Sequence, residues 1–210
     1  NGLISFNLAN ASGYCPWALT GVGTLPNAGF AAAKNTIMLT YQDINPSLGG
    51  QIQYQTLGTA PNRKFVVNFN ELPLYLNGCT GSGFQTTQIV LYEVSNVIDI
   101  NVVRRRSCSS WNGGLGVLGI QNASGTLGIA PTGRNLGTWN ADTESWRFIP
   151  DGNIDTAQIT WLENGNPIPG STGQSTITVC PTVDTDYTAV VSYTQCDNSL
   201  KTITDTNTVG

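Results

Sequence analysis

The feature that most constrains the fold is a series of short apolar or alternating runs separated by turn residues. They recur roughly every ten residues, the spacing typical of strands in a β-sandwich. The one Ala-rich stretch, NAGFAAAKNTIM, lacks an apolar stripe at helical spacing. The sequence therefore predicts an all-β protein built as a sandwich. The strand-like runs are GQIQYQTLG, RKFVVNFNEL, TTQIVLYEV, NVIDINVVR and GVLGIQN.

The pattern restarts after the turn signal Pro150-Asp151-Gly152. We therefore predict one domain over residues 1–150 and a smaller one over residues 151–210. Trp161 and Tyr187 in the smaller domain suggest an immunoglobulin-like sandwich with a tyrosine corner, a buried tyrosine whose hydroxyl bonds back to the main chain. The alternative is a β extension that packs on the first domain. The strands predicted there are 157–162, 175–180, 187–194 and 200–205.

Low charge limits the possible partners. Only 10% of the residues are charged, and the formal net charge is −4. Nucleic-acid binding draws on neutralised phosphates, so an acidic chain with nine scattered cations is a poor candidate for it. No apolar run approaches the 18 or so residues that a spanning helix needs, so we predict no membrane insertion. The first residue is Asn1 rather than Met, which predicts either a removed signal peptide or a piece of a longer chain.

A disulfide is predicted between Cys79 and Cys108. Cys79 precedes one predicted strand, Cys108 follows the next, and antiparallel pairing brings these outer ends together. The run Arg104–Arg106 then lies at the end of a disulfide-linked strand, where alternation turns Arg105 away from the other two. We interpret the run as a solvated strand end; the alternative is contact of Arg104 and Arg106 with an acidic glycan.

The remaining cysteines are less constrained. We predict a Cys180–Cys196 disulfide because the second domain offers neither cysteine another partner. Cys15 is left over, and an odd cysteine in a secreted chain indicates a missing partner.

Most catalytic chemistry is excluded by composition. The chain has no histidine, which removes Ser-His-Asp, Cys-His and His-ligated metal mechanisms. A carboxylate-pair hydrolase using Asp142 and Glu144 is the one enzyme class that the residues allow, and we predict no enzyme and no resident cofactor.

Two oxygen-rich loops and two tryptophans are candidate binding features. Calcium ligands are available at Asp43 with Asn45 and at Asp184 with Asp186, although turn chemistry explains these residues equally well. Trp111 and Trp139 are candidates for stacking on sugars, against the ordinary alternative of core packing.

Several motifs together resemble a known family. YQDINPSLGGQIQYQTLGTAPNRKFVVNFNELPLY, SCSSWNGG, GIQN and ESWRFIP are similar to modules with a nidogen-like β-sandwich core. Such modules occur in large secreted gliding-motility or adhesion proteins of Bacteroidota that are exported by type IX secretion. The tail TVCPTVDTDYTAVVSYTQC resembles the small immunoglobulin-like repeat of such chains.

The resemblance implies an extracellular, cell-surface protein that binds rather than catalyses. It implies that neighbouring modules of the same long chain are its partners. It also implies that strands before Asn1 complete the first domain and that a residue there is the partner of Cys15. Thr156 in the tripeptide DTA resembles an O-glycosylation site of these bacteria. No binding residue is general to the family.

The sequence thus predicts a non-catalytic adhesin or structural module that spaces or presents a binding surface. The alternative is a lectin-like glycan-binding module, with surface glycans or proteins as partners.

Overall fold

The computed structural model describes residues 1–11, 15–75, 77–150, 158–194 and 200–210. Strands dominate throughout, which confirms the predicted all-β class. Within these residues there is one α-helix, α1, which spans Leu19–Val22, and there are 3-10 helices at Leu8–Asn10, Ala31–Ala33, Pro46–Leu48, Asn77–Ser82 and Asn112–Gly114. The strands are β1 (Leu3–Ser5), β2 (Thr36–Tyr41), β3 (Gln51–Leu57), β4 (Lys64–Pro73), β5 (Phe84–Tyr92), β6 (Ile98–Arg105), β7 (Leu115–Gln121), β8 (Gly128–Ile129), β9 (Gly137–Thr138), β10 (Ala141–Phe148), β11 (Gln158–Glu163), β12 (Asn166–Pro167), β13 (Thr185–Thr194) and β14 (Leu200–Val209).

The chain divides into two units, Asn1–Ile149 and Pro150–Gly210. The first unit holds two antiparallel sheets. One has the order β1-β2-β7-β8, with β9 also paired to β7, and the other has the order β10-β6-β5-β4-β3. Strands β3 to β6 follow one another as hairpins, because turn residues separate runs of nearly equal length. The five runs identified in the sequence correspond to β3 to β7.

The core of the first unit lies between its two sheets. Strand β2 was not identified from the sequence, yet it is buried along its whole length. Its alternate side chains pack into two different apolar clusters, with Leu39 in the larger one and Met38 in the other. A strand buried on both faces shows no polar alternation, so its pattern cannot be separated from that of a helix.

Strand β6 contains a register shift that decides which arginine is buried. Thr87 pairs with Val102 and Thr86 pairs with Arg104, so Val103 is an extra residue relative to β5. Such a bulge turns the side chains that follow it to the opposite face. Strict alternation from Ile100 and Val102 would place Arg104 inside, but Arg105 is buried instead.

The described residues of the second unit form an antiparallel sheet of order β12-β11-β13-β14. The predicted strand over 175–180 is wrong, since those residues are not in a strand. Tyr187 is buried, but its hydroxyl bonds the side chain of Glu163 at 3.1 Å rather than the main chain, and Trp161 is half-buried. The immunoglobulin-like identity of this unit stays a prediction.

Candidate binding surface beside the disulfide

The predicted Cys79–Cys108 disulfide is confirmed. The two Cα atoms lie 5.7 Å apart, and both residues belong to the main core cluster. Cys79 lies in the 3-10 helix before β5, and Cys108 follows β6, so the bond closes the β5–β6 hairpin at its outer end. It also fixes the start of the loop that carries Trp111, whose backbone N–H donates to the Cys108 carbonyl at 3.1 Å.

Three aromatic side chains meet near this disulfide, and we call Trp17, Tyr75 and Trp111 the aromatic cluster. The Trp17 and Trp111 rings are stacked with centroids 5.1 Å apart, and the Tyr75 ring lies 5.7 Å from that of Trp111. Trp17 is 53% exposed and Tyr75 is 48% exposed. These exposed, mutually packed rings are a candidate contact surface, because aromatic side chains are enriched at protein interfaces.

Hydrogen bonds hold the cluster in place. The Trp111 indole N–H donates to a carboxylate oxygen of Asp43 at 2.8 Å. The Tyr75 N–H donates to the Asp43 carbonyl at 3.2 Å. The Asn112 side-chain amide donates to the Trp17 carbonyl at 2.9 Å. The first bond holds the Trp111 ring itself, whereas the other two fix the backbone of Tyr75 and Trp17 beside it.

A small depression with room for about one water molecule lies beside Trp111, the one member of the aromatic cluster among its described lining residues. Its polar lining consists of Gln42, Asp43 and Asn112, and its apolar lining includes Leu19 and Leu74. Among the described residues that line it, Asp43 is the only one with an ionisable side chain. Burial raises the pKa of Asp43 above its usual range, and the hydrogen bond from Trp111 opposes part of this shift.

Trp139 is not available to a ligand, which makes its prediction as a sugar contact wrong. Its ring is buried, and the guanidinium carbons of Arg105 and Arg134 lie 4.3 and 4.5 Å from its centroid. The interpretation of the whole arginine run as solvated is also wrong for Arg105, which is fully buried. Its guanidinium donates to the carbonyls of Trp139, Gly114 and Leu115.

Arg104 and Arg106 lie at the surface, as predicted, but both face Asp142. Arg106 makes an ion pair with Asp142 at 2.8 Å, and Arg104 approaches the same carboxylate at 3.9 Å. The Arg106 guanidinium lowers the pKa of Asp142 below its usual range. Neither arginine lines the depression, and their contact with an acidic glycan stays a prediction.

The candidate carboxylate pair lacks the pKa that a glycosidase acid needs. Glu144 makes an ion pair with Arg134 at 2.6 Å and accepts a hydrogen bond from the Trp146 indole. These contacts lower the pKa of Glu144, as Arg106 does for Asp142. A general acid requires a raised pKa, so the two carboxyl groups are not tuned for that chemistry.

The first pair of calcium candidates is engaged elsewhere. Asp43 accepts from Trp111, whereas the Asn45 side chain accepts from the Ser47 N–H at 3.1 Å and caps the 3-10 helix Pro46–Leu48. Asn45 therefore acts as the turn residue that the sequence offered as the alternative.

In the second pair, one Asp186 carboxylate oxygen accepts from the Thr208 hydroxyl at 2.6 Å. In the described part of the chain, no three His, Cys, Asp or Glu side chains, Asp184 included, group as metal ligands. Calcium at either loop stays a prediction.

Other predicted residues fall outside this surface. Thr156 and Cys196 lie outside the described residues. Cys180 is exposed and makes no disulfide with any described residue, so its pairing with Cys196 stays a prediction. Cys15 is also free and half-buried, with its Sγ 3.5 Å from the Tyr41 hydroxyl.

Sequence reasoning identified Trp111 and Asp43 separately but missed Trp17, Tyr75 and Gln42. The segments that carry them are distant along the chain, and nothing in their local patterns indicates that they meet. One local signal was available: in the CPW and ELPLY stretches, Trp17 and Tyr75 each lie close to a proline. This places both aromatic residues outside the regular part of a strand.

Comparison with known proteins gives one match. A family model described as NIDO related matches residues 1–150. No curated protein and no solved structure matches the chain. Among the described residues, none of the helices has the length and apolar character required to cross a membrane.

Proposed function

This chain belongs to the NIDO-related (nidogen-related) family through residues 1–150, and from that membership we propose that it is a non-catalytic adhesion or structural module of the bacterial cell surface. It spaces or presents a binding surface within a large secreted protein. The resemblance to gliding-motility and adhesion proteins of Bacteroidota, exported by type IX secretion, supports this setting. The disulfide supports an extracellular location, since such bonds persist in oxidising compartments. The partners are neighbouring modules of the same chain together with a surface ligand.

The observation that carries the proposal is the aromatic cluster. Trp17 and Tyr75 are about half exposed, yet each lies against Trp111, which is itself bonded to Asp43. Rigid, half-exposed aromatic rings lose little conformational entropy on binding and supply large contact area, so they often dominate the affinity of a protein surface.

A bead-retention assay tests this proposal. Beads carry the 210-residue chain and flow over bacterial cell layers, with beads that carry an unrelated β-sandwich protein as reference. We expect retention above the reference, reduced when Trp17→Ala and Tyr75→Ala are combined. The matched control is Tyr54→Ala, which removes an exposed tyrosine from β3 outside the cluster. If beads with the wild-type chain are retained no better than the reference beads, the adhesion proposal is rejected. If the double variant is retained as well as Tyr54→Ala, the aromatic cluster is not the binding surface.

The lectin-like alternative is favoured by a separate observation. The exposed aromatic cluster lies next to the Asp43 carboxylate and the Asn112 amide, and aromatic rings with a few nearby polar groups are what orients a small polar ligand.

A further inference from the structure

Strand β3 is an edge strand without the features that usually protect such an edge. It pairs with β4 on one side through an unbroken register, and no other described strand pairs with it. All seven residues, Gln51–Leu57, are exposed, and none is charged or a proline. Natural edge strands are commonly protected by charge, proline, a bulge or a cover, because bare N–H and C=O groups pair with another strand. The edge of β3 is therefore open to the addition of a strand.

The side chains on the core face of β3 also lack a cover. Ile52 lies opposite Phe69 and Tyr54 lies opposite Val67. Both of these β4 residues belong to the main core cluster, and opposite residues of an antiparallel pair share a face. Ile52 is nevertheless 48% exposed and Tyr54 is 75% exposed. The apolar face of the sheet thus continues onto β3 beyond its buried part, and an added strand would bury more of it.

The opposite face carries a row of hydrogen-bonded polar side chains that ends at the same edge. Ser145 donates to Asn101 at 2.8 Å, and Asn101 donates to Gln88 at 3.1 Å. Gln88 donates in turn to Asn68 at 2.8 Å, and Gln53 of β3 lies opposite Asn68. The row crosses β10, β6, β5 and β4 and reaches the edge strand. A polar side chain at the matching position of an added strand would extend it.

The sequence of β3 matches itself when a second copy runs in the antiparallel direction. In QIQYQTL, a two-fold axis through Tyr54 places Gln53 opposite Gln55 of the second copy. It also places Ile52 opposite Thr56 of the second copy. Amides then meet amides on the polar face, while β-branched and aromatic side chains meet on the core face, and such cross-strand pairs stabilise a sheet. A two-fold contact joins one surface to the same surface of another copy, so this self-match favours a second copy as the partner.

The charges beside β3 favour the antiparallel arrangement. Lys64 of β4 lies opposite Leu57, at one end of β3. Glu71 lies at the other end, because it follows Asn70, the residue opposite Gln51. Two-fold pairing puts Glu71 of each copy on the same side as Lys64 of the other, whereas parallel pairing would bring like charges together. Three strand spacings, about 15 Å, separate these charges, so they select the orientation more than they add affinity.

We propose that the free edge of β3 is a homotypic interface, to which a second copy of this chain adds its own β3 in antiparallel pairing centred on Tyr54. The contact between two seven-residue strands is small beside the roughly 1,200 Å² that stable complexes bury. We therefore expect a weak dimer, with a dissociation constant of about 0.1–1 mM. Chains held close together on one surface reach millimolar effective concentrations, at which such a contact forms. The inference goes beyond the proposed function, since β3 is not part of the aromatic cluster.

Sedimentation equilibrium of the 210-residue chain between about 10 µM and 1 mM tests the association. Free thiols are first blocked with iodoacetamide, so that no intermolecular disulfide imitates a dimer. We expect the mass to rise from that of one chain towards that of two. Amide hydrogen exchange at the two concentrations locates the contact. Every second N–H of an edge strand points away from its neighbour, and we expect these amides of β3 to become protected in the concentrated sample.

A matched pair of charge variants tests the register. Gln53→Lys combined with Gln55→Glu places a lysine opposite a glutamate across the axis, whereas Gln53→Lys combined with Gln55→Lys places lysines opposite lysines. We expect the first variant to associate at least as tightly as the wild type and the second at least about tenfold more weakly. Overall charge would act the other way, since two added lysines bring the formal net charge of −4 closer to zero. Urea unfolding of both variants checks that each is folded.

Four results would overturn the proposal. The first is a wild-type chain that stays monomeric at 1 mM, which leaves the edge to a strand of a different protein. The second is a dimer in which the exchange of the β3 amides is unchanged. The third is protection of the outward β3 amides already at 10 µM, which means that another segment of the same chain covers the edge. The fourth is equal association of the two folded variants.

The outcome does not depend on the variants alone or on the adhesion assay. If either charge variant fails to fold, the concentration dependence of β3 exchange in the wild type decides. Bead retention measures contact of the aromatic cluster with the cell layer, so the failure of one proposal is distinguishable from the failure of the other.

Discussion

The guanidinium carbon of Arg105 lies 4.3 Å from the centre of the Trp139 ring. Arg105 also donates to the backbone carbonyl of Trp139 and to two carbonyls of the Gly114–Leu115 segment. In the described part of the chain, no carboxylate makes an ion pair with this buried cation. Burial, with the nearby charge of Arg134, lowers the pKa of Arg105 to about 9, so the group is charged at neutral pH. An aromatic face and carbonyl dipoles therefore hold a charge that burial disfavours.

Replacing Arg105 should destabilise the first unit. Arg105→Met removes the donor from three carbonyls and the cation from the Trp139 ring, and we expect a loss of more than about 2 kcal/mol in the free energy of unfolding. Urea denaturation followed by tryptophan fluorescence measures it. Arg104→Met on the same strand is the matched control, and as an exposed change it should stay within about 0.5 kcal/mol. If Arg105→Met and Arg104→Met lower the free energy of unfolding equally, the prediction that buried Arg105 stabilises the fold is contradicted.

Gly116 should be intolerant of a side chain because Arg105 occupies the adjacent space. A Cβ at Gly116 would lie 2.4 Å from the Arg105 Nη2 atom. Since Arg105 is fully buried and bonded to three carbonyls, we expect Gly116→Ala to cost about 1–3 kcal/mol. The comparison is Gly21→Ala, where a Cβ would meet no atom within 4 Å. A stable Gly116→Ala protein would show that the guanidinium has room to move.

Loss of the Cys79–Cys108 bond should weaken both the fold and the aromatic cluster. The bond spans 29 residues of sequence, and loop-closure entropy predicts about 3–4 kcal/mol of stabilisation. We expect the double variant Cys79→Ser, Cys108→Ser to unfold at lower urea and to show broadened Trp111 resonances. Ser109→Ala, at an exposed residue next to Cys108, is the control and should match the wild type. If the double variant keeps the wild-type stability, the disulfide does not stabilise the first unit or its aromatic cluster.

Stability should decline in acid. The pKa of Glu144 is lowered in the folded protein, chiefly by hydrogen bonds from Arg134. A group with a depressed folded pKa contributes stability above its unfolded pKa, about 4.5, and loses that contribution as the pH falls towards the folded value. We expect unfolding free energies measured from pH 7 to pH 2.5 to fall less steeply in Glu144→Gln. An unchanged slope would mean that the Arg134–Glu144 pair adds no stability in solution.

Local pattern was enough to identify most of the strands and one covalent link. Strands β3 to β7 were read from alternation and turn residues, because both signals lie within each segment. The Cys79–Cys108 bond followed from two adjacent strands of nearly equal length, whose outer ends meet in an antiparallel hairpin. The absence of histidine limited catalytic chemistry without reference to the fold.

Only the tertiary structure decided which side chains became the core and the binding surface. The bulge at Val103 buries Arg105 where strict alternation from Ile100 and Val102 would bury Arg104, and a register shift depends on the neighbouring strand rather than on β6 itself. Trp17, Tyr75 and Trp111 belong to separate segments that meet only after the sheets pack. Alternation is a property of a single strand, whereas register, burial and side-chain clusters depend on contacts between distant residues, so no local pattern determines them.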